Sequence, residues 1–540
     1  MEAGNREILL NKQAASSKTL LLSRNGVFLF LFGNGAFGSK WCGLWQNDTK
    51  FLDYFALRVN DEWLSPENFH SLKYNGITAE LNYNAGTKVR ERLCVTEGGL
   101  VVELQTRGRS EFDLEMGVNI RKRDEDIRDE GYKVFKRKGI HVGNSLGRLS
   151  IQAKGVFTPI NQYEVHFPGR YAQEVGYDWN ESPQKKFVPG ILSMKGRKVE
   201  IKFSLAPGVG SFNLAKKSAR SYVRKHKAVG WEMAASLSHF ITRLEGKTAF
   251  LAGFPYFNEF WTRDFLWMVK PLLEKGYLEE VKEAVGLIAK HQLPDGSIPN
   301  VVGVPETNAD STPLWIIAAD ELVKEGAKVD VKHLKAALEF GRKHLKRGVV
   351  WHPEELTWMD TLWRRGGIEI QSLWAEAFER GSELIDPKLE DLSAEIWETV
   401  EIDYLTHEVF RDSLEGPYRF TANTLVPLVF GQASLGQRKK TLKRARKELL
   451  TPDGVKAVSK SESSTPEKYH ERVWGITTYW GSVAFGKSEG KKILDSWSKH
   501  MNSRTLYGMP ETVSKGKPMG ATHQLWSTAF LPSAGRGGRK

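Results

Sequence analysis

The chain reads as two architectures in series: an N-terminal antiparallel β-sandwich over residues 1–210 and a C-terminal (α/α)6 toroid over 246–536, joined by a helical connector at 211–245. Three observations predict this arrangement. From residue 33 to about 203, short apolar segments alternate with polar residues at period two, as in Glu80-Leu81-Asn82-Tyr83 and Val101-Val102-Glu103-Leu104, the pattern of half-buried strands. After Pro207 the spacing changes to that of amphipathic helices. Those helices then follow one another in sequential pairs separated by loops.

In the first part, Gly, Asn and Asp turns recur regularly and no helix-length periodicity interrupts them, which favours two sheets with packed inner faces. No residue cluster there points to chemistry. Its densest basic stretch, 121–138, interleaves Asp124, Glu125, Asp126, Asp129 and Glu130 with Lys and Arg, and reads as a solvated hairpin surface. Residues 218–244 read as one long helix. Helical stretches near 263–275, 279–291, 312–325, 332–347, 368–385, 388–404, 421–433, 438–450, 474–486, 489–500 and 523–534 follow. With the connector they make about twelve helices in six pairs, which can close into a toroid whose inner helices line a core. An open solenoid would carry a recurring repeat signature, and none is present.

Composition removes several function classes. With 540 residues, 40% of them hydrophobic, the chain can bury more than one core. The first 35 residues lack the basic-then-apolar order of a secretion signal, and the apolar run Val27–Phe32 is far too short to cross a bilayer. The only two cysteines, Cys42 and Cys94, supply neither a disulfide framework nor a zinc cluster, so a cytoplasmic protein without metal or cofactor is expected. The net charge of +13 raises nucleic acid as a partner, but the bases are not clustered as phosphate binding requires. The Gly- and Arg-rich tail at 535–540 reads as a frayed end.

The informative loops are those where aromatic and acidic residues coincide, because rings stack on sugar C–H faces while Asp, Glu and Arg bind hydroxyls. In the first, Ala252-Gly253-Phe254-Pro255-Tyr256-Phe257 leads to Trp261-Thr262-Arg263-Asp264 at a helix start, where the Asp can accept from and the Arg donate to adjacent hydroxyls. The second holds Asp310-Ser311-Thr312-Pro313-Leu314-Trp315, with Asp310 either a helix cap or a substrate contact. The third is Thr357-Trp358-Met359-Asp360, followed by Gly366-Gly367 and Glu369. A carboxyl beside an aromatic ring has its pKa raised and stays protonated as a general acid. The fourth, Tyr507-Gly508-Met509-Pro510-Glu511, precedes Gln524, Trp526 and Ser527, and its rigid acid suits a base held against one water. Asp360 and Glu511 together meet the two-carboxyl requirement of glycoside hydrolysis.

These motifs resemble the amylo-α-1,6-glucosidase part of glycogen debranching enzymes and, more distantly, glucoamylases and other toroid glucosidases. The resemblance rests on 43–52 (Gly-Leu-Trp-Gln-Asn-Asp-Thr-Lys-Phe-Leu) and Leu57-Arg58-Val59-Asn60 in the first part. In the second it rests on the Ala252–Phe257 loop, Arg263-Asp264, Asp295-Gly296-Ser297-Ile298-Pro299-Asn300, Thr357-Trp358-Met359-Asp360, Leu450-Thr451-Pro452-Asp453-Gly454, Tyr469-His470, Val473-Trp474 and Gln524-Leu525-Trp526-Ser527. Ordered matches of this kind are more specific than any single one. The resemblance implies a β-sandwich followed by a toroid that hydrolyses with inversion, Asp360 as acid and Glu511 as base. It implies that Arg263 and Asp264 hold the non-reducing glucose and that Glu369 lines the same pocket. Debranching enzymes usually carry Asp-Trp-Gly-Arg-Asp where this chain has Glu259-Phe260-Trp261-Thr262-Arg263-Asp264. That version is closer to glucoamylases and leaves α-1,6 and α-1,4 linkages both open.

The expected function is therefore release of glucose from α-glucans by an inverting α-glucosidase. Asp360 and Glu511 are the catalytic residues, and Tyr256, Trp261, Arg263, Asp264, Asp310, Trp358, Glu369 and Trp526 the substrate-binding ones. Glu376 in Leu373-Trp374-Ala375-Glu376 is the reserve acid. The alternatives are cleavage or phosphorolysis of another α-glycoside such as trehalose, and a catalytically silent glycan-binding protein.

Overall fold

The computed structural model describes residues 7–125, 131–164, 186–207, 209–416, 419–459 and 469–532. Its N-terminal part is a curled antiparallel sheet of fifteen strands. Continuity comes from the 24-residue strand Gly99–Lys122, which pairs with Thr87–Thr96 over its first half and with Thr49–Val59 over its second. Register shifts between Gln105 and Ser110 and between Glu115 and Val118 bend this strand, since bulges turn a strand from one layer toward another. The strands Thr19–Arg24 and Val27–Phe32 pack across Thr87–Thr96 without bonding to it. Two inner faces thus meet as in a sandwich, but they belong to one sheet joined through a shared strand.

Every residue of Val27–Phe32 is buried. One face meets the opposite layer and the other meets the helical part, where Phe28 lies edge-on to Phe254 with ring centroids 5.0 Å apart. Burial on both sides removes the polar alternation that a half-exposed strand shows. The run is a core strand, and no helix among the described residues is long and apolar enough to cross a membrane.

The connector differs from the single helix expected over 218–244. Phe212–Lys225 and Trp231–Ser238 are separate helices, broken at Gly230 with φ +89°. The chain then forms the hairpin Ile241–Leu244 with Lys247–Phe250. Its turn residues Glu245 (φ +51°) and Gly246 (φ +74°) both adopt the left-handed conformation that a two-residue hairpin turn needs. The alternation in Ile241-Thr242-Arg243-Leu244 is short enough to be absorbed into the preceding helical spacing.

Beyond the hairpin, six inner helices among the described residues bury most of their residues: α1 (Thr262–Leu266), α2 (Ser311–Lys324), α3 (Ile368–Leu384), α4 (Val426–Val429), α5 (Gly475–Ala484) and α6 (Leu525–Thr528). The outer helices Leu278–Lys290, Val331–His344, Leu389–Asp403, Leu435–Glu448 and Gly486–Ser498 keep a charged outward face. Three expected helices are shorter or divided. The stretch 263–275 splits into α1 and Val269–Glu274; 421–433 is a 3-10 turn, Ala422–Leu425, running into α4; and 523–534 is α6, with 533–534 outside the described residues.

The ring closes where Gly253–Phe254 pairs with His523–Gln524, joining the first inner loop to the last. On the outer ring, Glu280 takes hydrogen bonds from Lys225 and His226, and the His226 ring stacks on Tyr277 at 3.8 Å. Burial alone would raise the Glu280 carboxyl, but the His226 and Lys225 hydrogen bonds pull it down to about 2. A carboxyl depressed in the folded state stabilises fully above its unfolded value near 4.5, and that contribution disappears as pH falls toward 2. Glu280→Gln is expected to cost about 2 kcal/mol at pH 7 and to flatten the acid limb of stability across that window, as read from thermal melts over a pH series.

Candidate active site

The residues singled out from the loops lie at the N-terminal ends of the inner helices. Trp261 occupies the N-cap position of α1, whose first turn carries Arg263 and Asp264. Arg263 is only 6% exposed, yet its Nε makes no hydrogen bond among the described residues and is held by a loose ion pair, 3.5 Å from Asp264 Oδ2. The indoles of Trp261 and Trp526 flank it at 5.9 and 5.8 Å. Its charge acts on Asp264, Asp310 and Asp360 alike.

Asp264 and Asp310 are buried acids with one oxygen in use each. Gln524 Nε2 donates to Asp264 Oδ1 at 3.0 Å, and the backbone N–H of Trp358 donates to Asp310 Oδ2 at 3.1 Å. Asp264 Oδ2 and Asp310 Oδ1 have no hydrogen-bond partner. The capping alternative for Asp310 gives way, because its side chain makes no cap bond and Asn308 Oδ1 receives the N–H of Ser311 instead. Burial raises both carboxyls to about 6, with Arg263 acting in the opposite direction.

Asp360 is exposed at the tip of a loop whose preceding residues, Thr357, Trp358 and Met359, are buried. Its carboxyl opens to water on one side and faces protein on the other. Loss of water on that protein side raises its pKa, again opposed by Arg263. The loop is rigidly seated. Trp358 Nε1 donates to Asn423 Oδ1 at 2.8 Å, and its ring stands edge-on to His470, Trp474 and Trp480. Glu369, in the first turn of α3, has both oxygens engaged by the Arg364 guanidinium, which also lies 3.6 Å from Asp412. Trp358 and Glu369 thus adjoin the cluster with their polar groups already occupied by protein.

Glu511 is 3% exposed, and each of its oxygens accepts one hydrogen bond: Oε2 from the Ala521 N–H at 2.9 Å and Oε1 from the Tyr469 hydroxyl at 3.1 Å. Burial lifts it to about 7 against these two bonds, with the Asp264 charge adding to the rise. Gly520, at φ +69°, lets the backbone turn against this carboxylate; a Cβ there would sit 2.2 Å from Oε2. Tyr469 also lies in the field of Asp360, so it faces both proposed catalytic acids.

The β-part supplies one wall. Trp41 meets Tyr256 edge-on at 4.9 Å, Arg123 donates to the Tyr256 carbonyl and to Glu259, and Asn258 donates to the Asn47 carbonyl. The reading of 121–138 as a solvated hairpin surface holds for 131–138, exposed or half-buried in a hairpin, and is corrected at its start. Arg121 is fully buried and donates to the Lys40 carbonyl, and Arg123 bridges to the site loop, while 126–130 lie outside the described residues. Tyr469 and Gln524 belong to the Tyr469-His470 and Gln524–Ser527 motifs, but nothing in those motifs tells that Tyr469 bonds Glu511 and Gln524 bonds Asp264. Trp41 and Arg123 carry no sequence signal at all. Glu376 lies two turns along α3 from Glu369, bonded to Arg380, and does not join the cluster.

Residues 218–474 match the family model of amylo-alpha-1,6-glucosidase, which bears out the resemblance drawn from the motifs. No curated protein sequence matches the chain. Among solved structures, a bacterial glucoamylase complexed with acarbose is similar in fold, with a TM-score of 0.65 at 12% identity over 96% of this chain and 93% of that one.

Because the Asp310 carboxyl is raised to about 6, its ionised form destabilises the fold above that pH, and the penalty vanishes below the unfolded value near 3.8. Asp310→Asn keeps an acceptor for Trp358. It is expected to be more stable than the parent at pH 7.5 by about 1 kcal/mol, the gap closing near pH 4 in chemical denaturation.

Proposed function

We propose that the protein is an inverting α-glucosidase that removes glucose from the ends of α-glucans, with Asp360 as general acid and Glu511 as general base. The observation that carries this reading is the cluster around Arg263. Arg263 Nε, in an ion pair with Asp264 Oδ2 at 3.5 Å, stands with Asp310 Oδ1 and the indole N–H groups of Trp261 and Trp526, and none of these atoms has a hydrogen-bond partner among the described residues. Buried polar groups are normally satisfied, and a set of donors and acceptors interleaved with aromatic faces complements one polyhydroxylated ring. The family match over 218–474 and the acarbose-bound glucoamylase of similar fold support the same substrate class.

In this mechanism Arg263 donates to, and Asp264 and Asp310 accept from, hydroxyls of the terminal glucose. Asp360 gives its proton to the glycosidic oxygen as the bond to the anomeric carbon breaks. Glu511 takes a proton from a water that attacks the opposite face of that carbon. Trp261 and Trp526 stack on the ring, and Tyr256, held by Trp41, borders the entrance. Glu369 acts through Arg364, fixing the Thr357–Asp360 loop by way of the Arg364 bond to Thr357. Tyr469, which bonds Glu511 and lies in the field of Asp360, stands between the two roles. Cys42 and Cys94, both buried and in no disulfide, suit a reducing, cytoplasmic setting.

The decisive test follows glucose release from panose and maltotriose by NMR. β-Glucose appearing first supports inversion, and the faster substrate names the linkage; α-glucose first would overturn inversion, and no glucose from either would overturn the α-glucosidase reading. Asp360→Asn and Glu511→Gln are each expected to lower kcat by about 10²–10⁴-fold with binding retained.

A base must be ionised to work, so kcat/KM should fall as pH drops through about 7, where Glu511 gains its proton. Tyr469→Phe removes a donor that stabilises the carboxylate, so its acid limb should move to higher pH. An unmoved limb would show that another group sets it.

A further inference from the structure

At the far end of the inner helices lies a second cavity, of about 960 Å³, at the upper end of the size range of ligand clefts, roughly 300–1,000 Å³. It shares helices with the carboxylate cluster but no residues. Where α1, α2, α3 and α5 begin at the cluster, this cavity is lined mostly by residues further along them and just beyond, with Phe430 after α4 and Phe530 after α6. A tryptophan contact separates the two ends: Trp267 meets Trp480 at 5.0 Å, and Trp480 meets Trp358 at 5.3 Å.

We infer that this cavity is a second, non-catalytic binding site for an α-glucan chain. Its walls carry paired aromatic rings, Trp267 with Phe430 at 6.2 Å and Tyr479 with Phe530 at 5.4 Å, the surfaces that sugar C–H faces stack on. Between them stand hydrogen-bonding groups at depth. Glu376 is 8% exposed and bonds through one oxygen to Arg380, and the Trp267 indole N–H and the Tyr479 hydroxyl have no hydrogen-bond partner among the described residues. Charge decides the ligand class. Arg380 is shared by Asp320, Glu321 and Glu376, three carboxylates around one guanidinium, with Lys324 on Asp320. Around this group the cavity is lined by charges of both signs, Lys270, Lys487 and Lys491 beside Glu274, Glu321 and Glu376, so no strong field of one sign selects an ion. A neutral ligand with hydroxyls and apolar faces fits, and a glucan chain has both.

This inference rests on the proposed function for the identity of the sugar but is tested apart from it. Maltoheptaose is titrated into the full chain carrying Asp360→Asn, and binding stoichiometry is measured by calorimetry alongside glucose release by the wild type. Two sites are expected. Val483→Trp, which fills the partly exposed mouth, should remove one of them while leaving initial rates on maltotriose unchanged, and Arg263→Ala should remove the other. Tyr479→Phe, which deletes only a hydroxyl, should weaken the second site about fivefold, a check should Val483→Trp fold poorly. A single site, abolished by Arg263→Ala and untouched by Val483→Trp and Tyr479→Phe, would overturn the second site and leave the α-glucosidase standing. Two sites with no glucose released would do the reverse.

Discussion

The candidate site depends on one cation that is not used up. Burying a carboxylate is costly unless it is paired, and a fully paired one is held ionised far below neutrality. Here Arg263 acts on Asp264, Asp310 and Asp360 together, and its pairing with Asp264 is a loose one, 3.5 Å from Nε to Oδ2. Its single charge is divided among three acids. The buried pair settles near 6, and Glu511 beyond it near 7. Arg364, likewise buried, is instead closely engaged by Glu369 and Asp412. If Arg263 were bonded as closely as Arg364 is, the acids would have neither a hydroxyl donor to offer nor a proton to exchange near neutral pH.

The helical arrangement explains why such a cluster is tolerated. Arg263, Asp264, Asp310 and Glu369 all sit at the starts of inner helices, where free N–H groups and the positive end of the helix dipole favour negative charge. The same polarity places helix ends, which favour cations, at the opposite mouth, where Arg380 lies near the end of α3. One toroid thus presents two chemically different openings.

Much of this was legible in the sequence, because long amphipathic helices and loops that combine Trp with Asp leave local traces. The order of strands then helices and the loops bearing Asp264, Asp310, Asp360 and Glu511 needed no long-range information. What failed was non-local or very short. Ile241–Leu244 is a four-residue strand whose turn rests on Glu245 adopting a positive φ, and no spacing rule reveals that. The single continuous sheet arises from strand Gly99–Lys122 changing partners along its length, a property of pairing and not of composition. Asp310 reads equally as a cap until Asn308 is seen to do that work. The wall formed by Trp41 and Arg123 joins residues far apart in the chain, and each looks ordinary in its own neighbourhood.

That wall has a consequence for how the two parts can diverge. The loop bearing Tyr256, Asn258 and Glu259 is held from outside by Trp41, Asn47 and Arg123, so the helical part does not own the whole of its entrance. A toroid grafted onto a different partner, or released by cutting the chain near the connector, would keep its acids and lose the brace that shapes the approach to them. Sequence drift in the β-part is therefore a route to new substrate preference that leaves every acid in place.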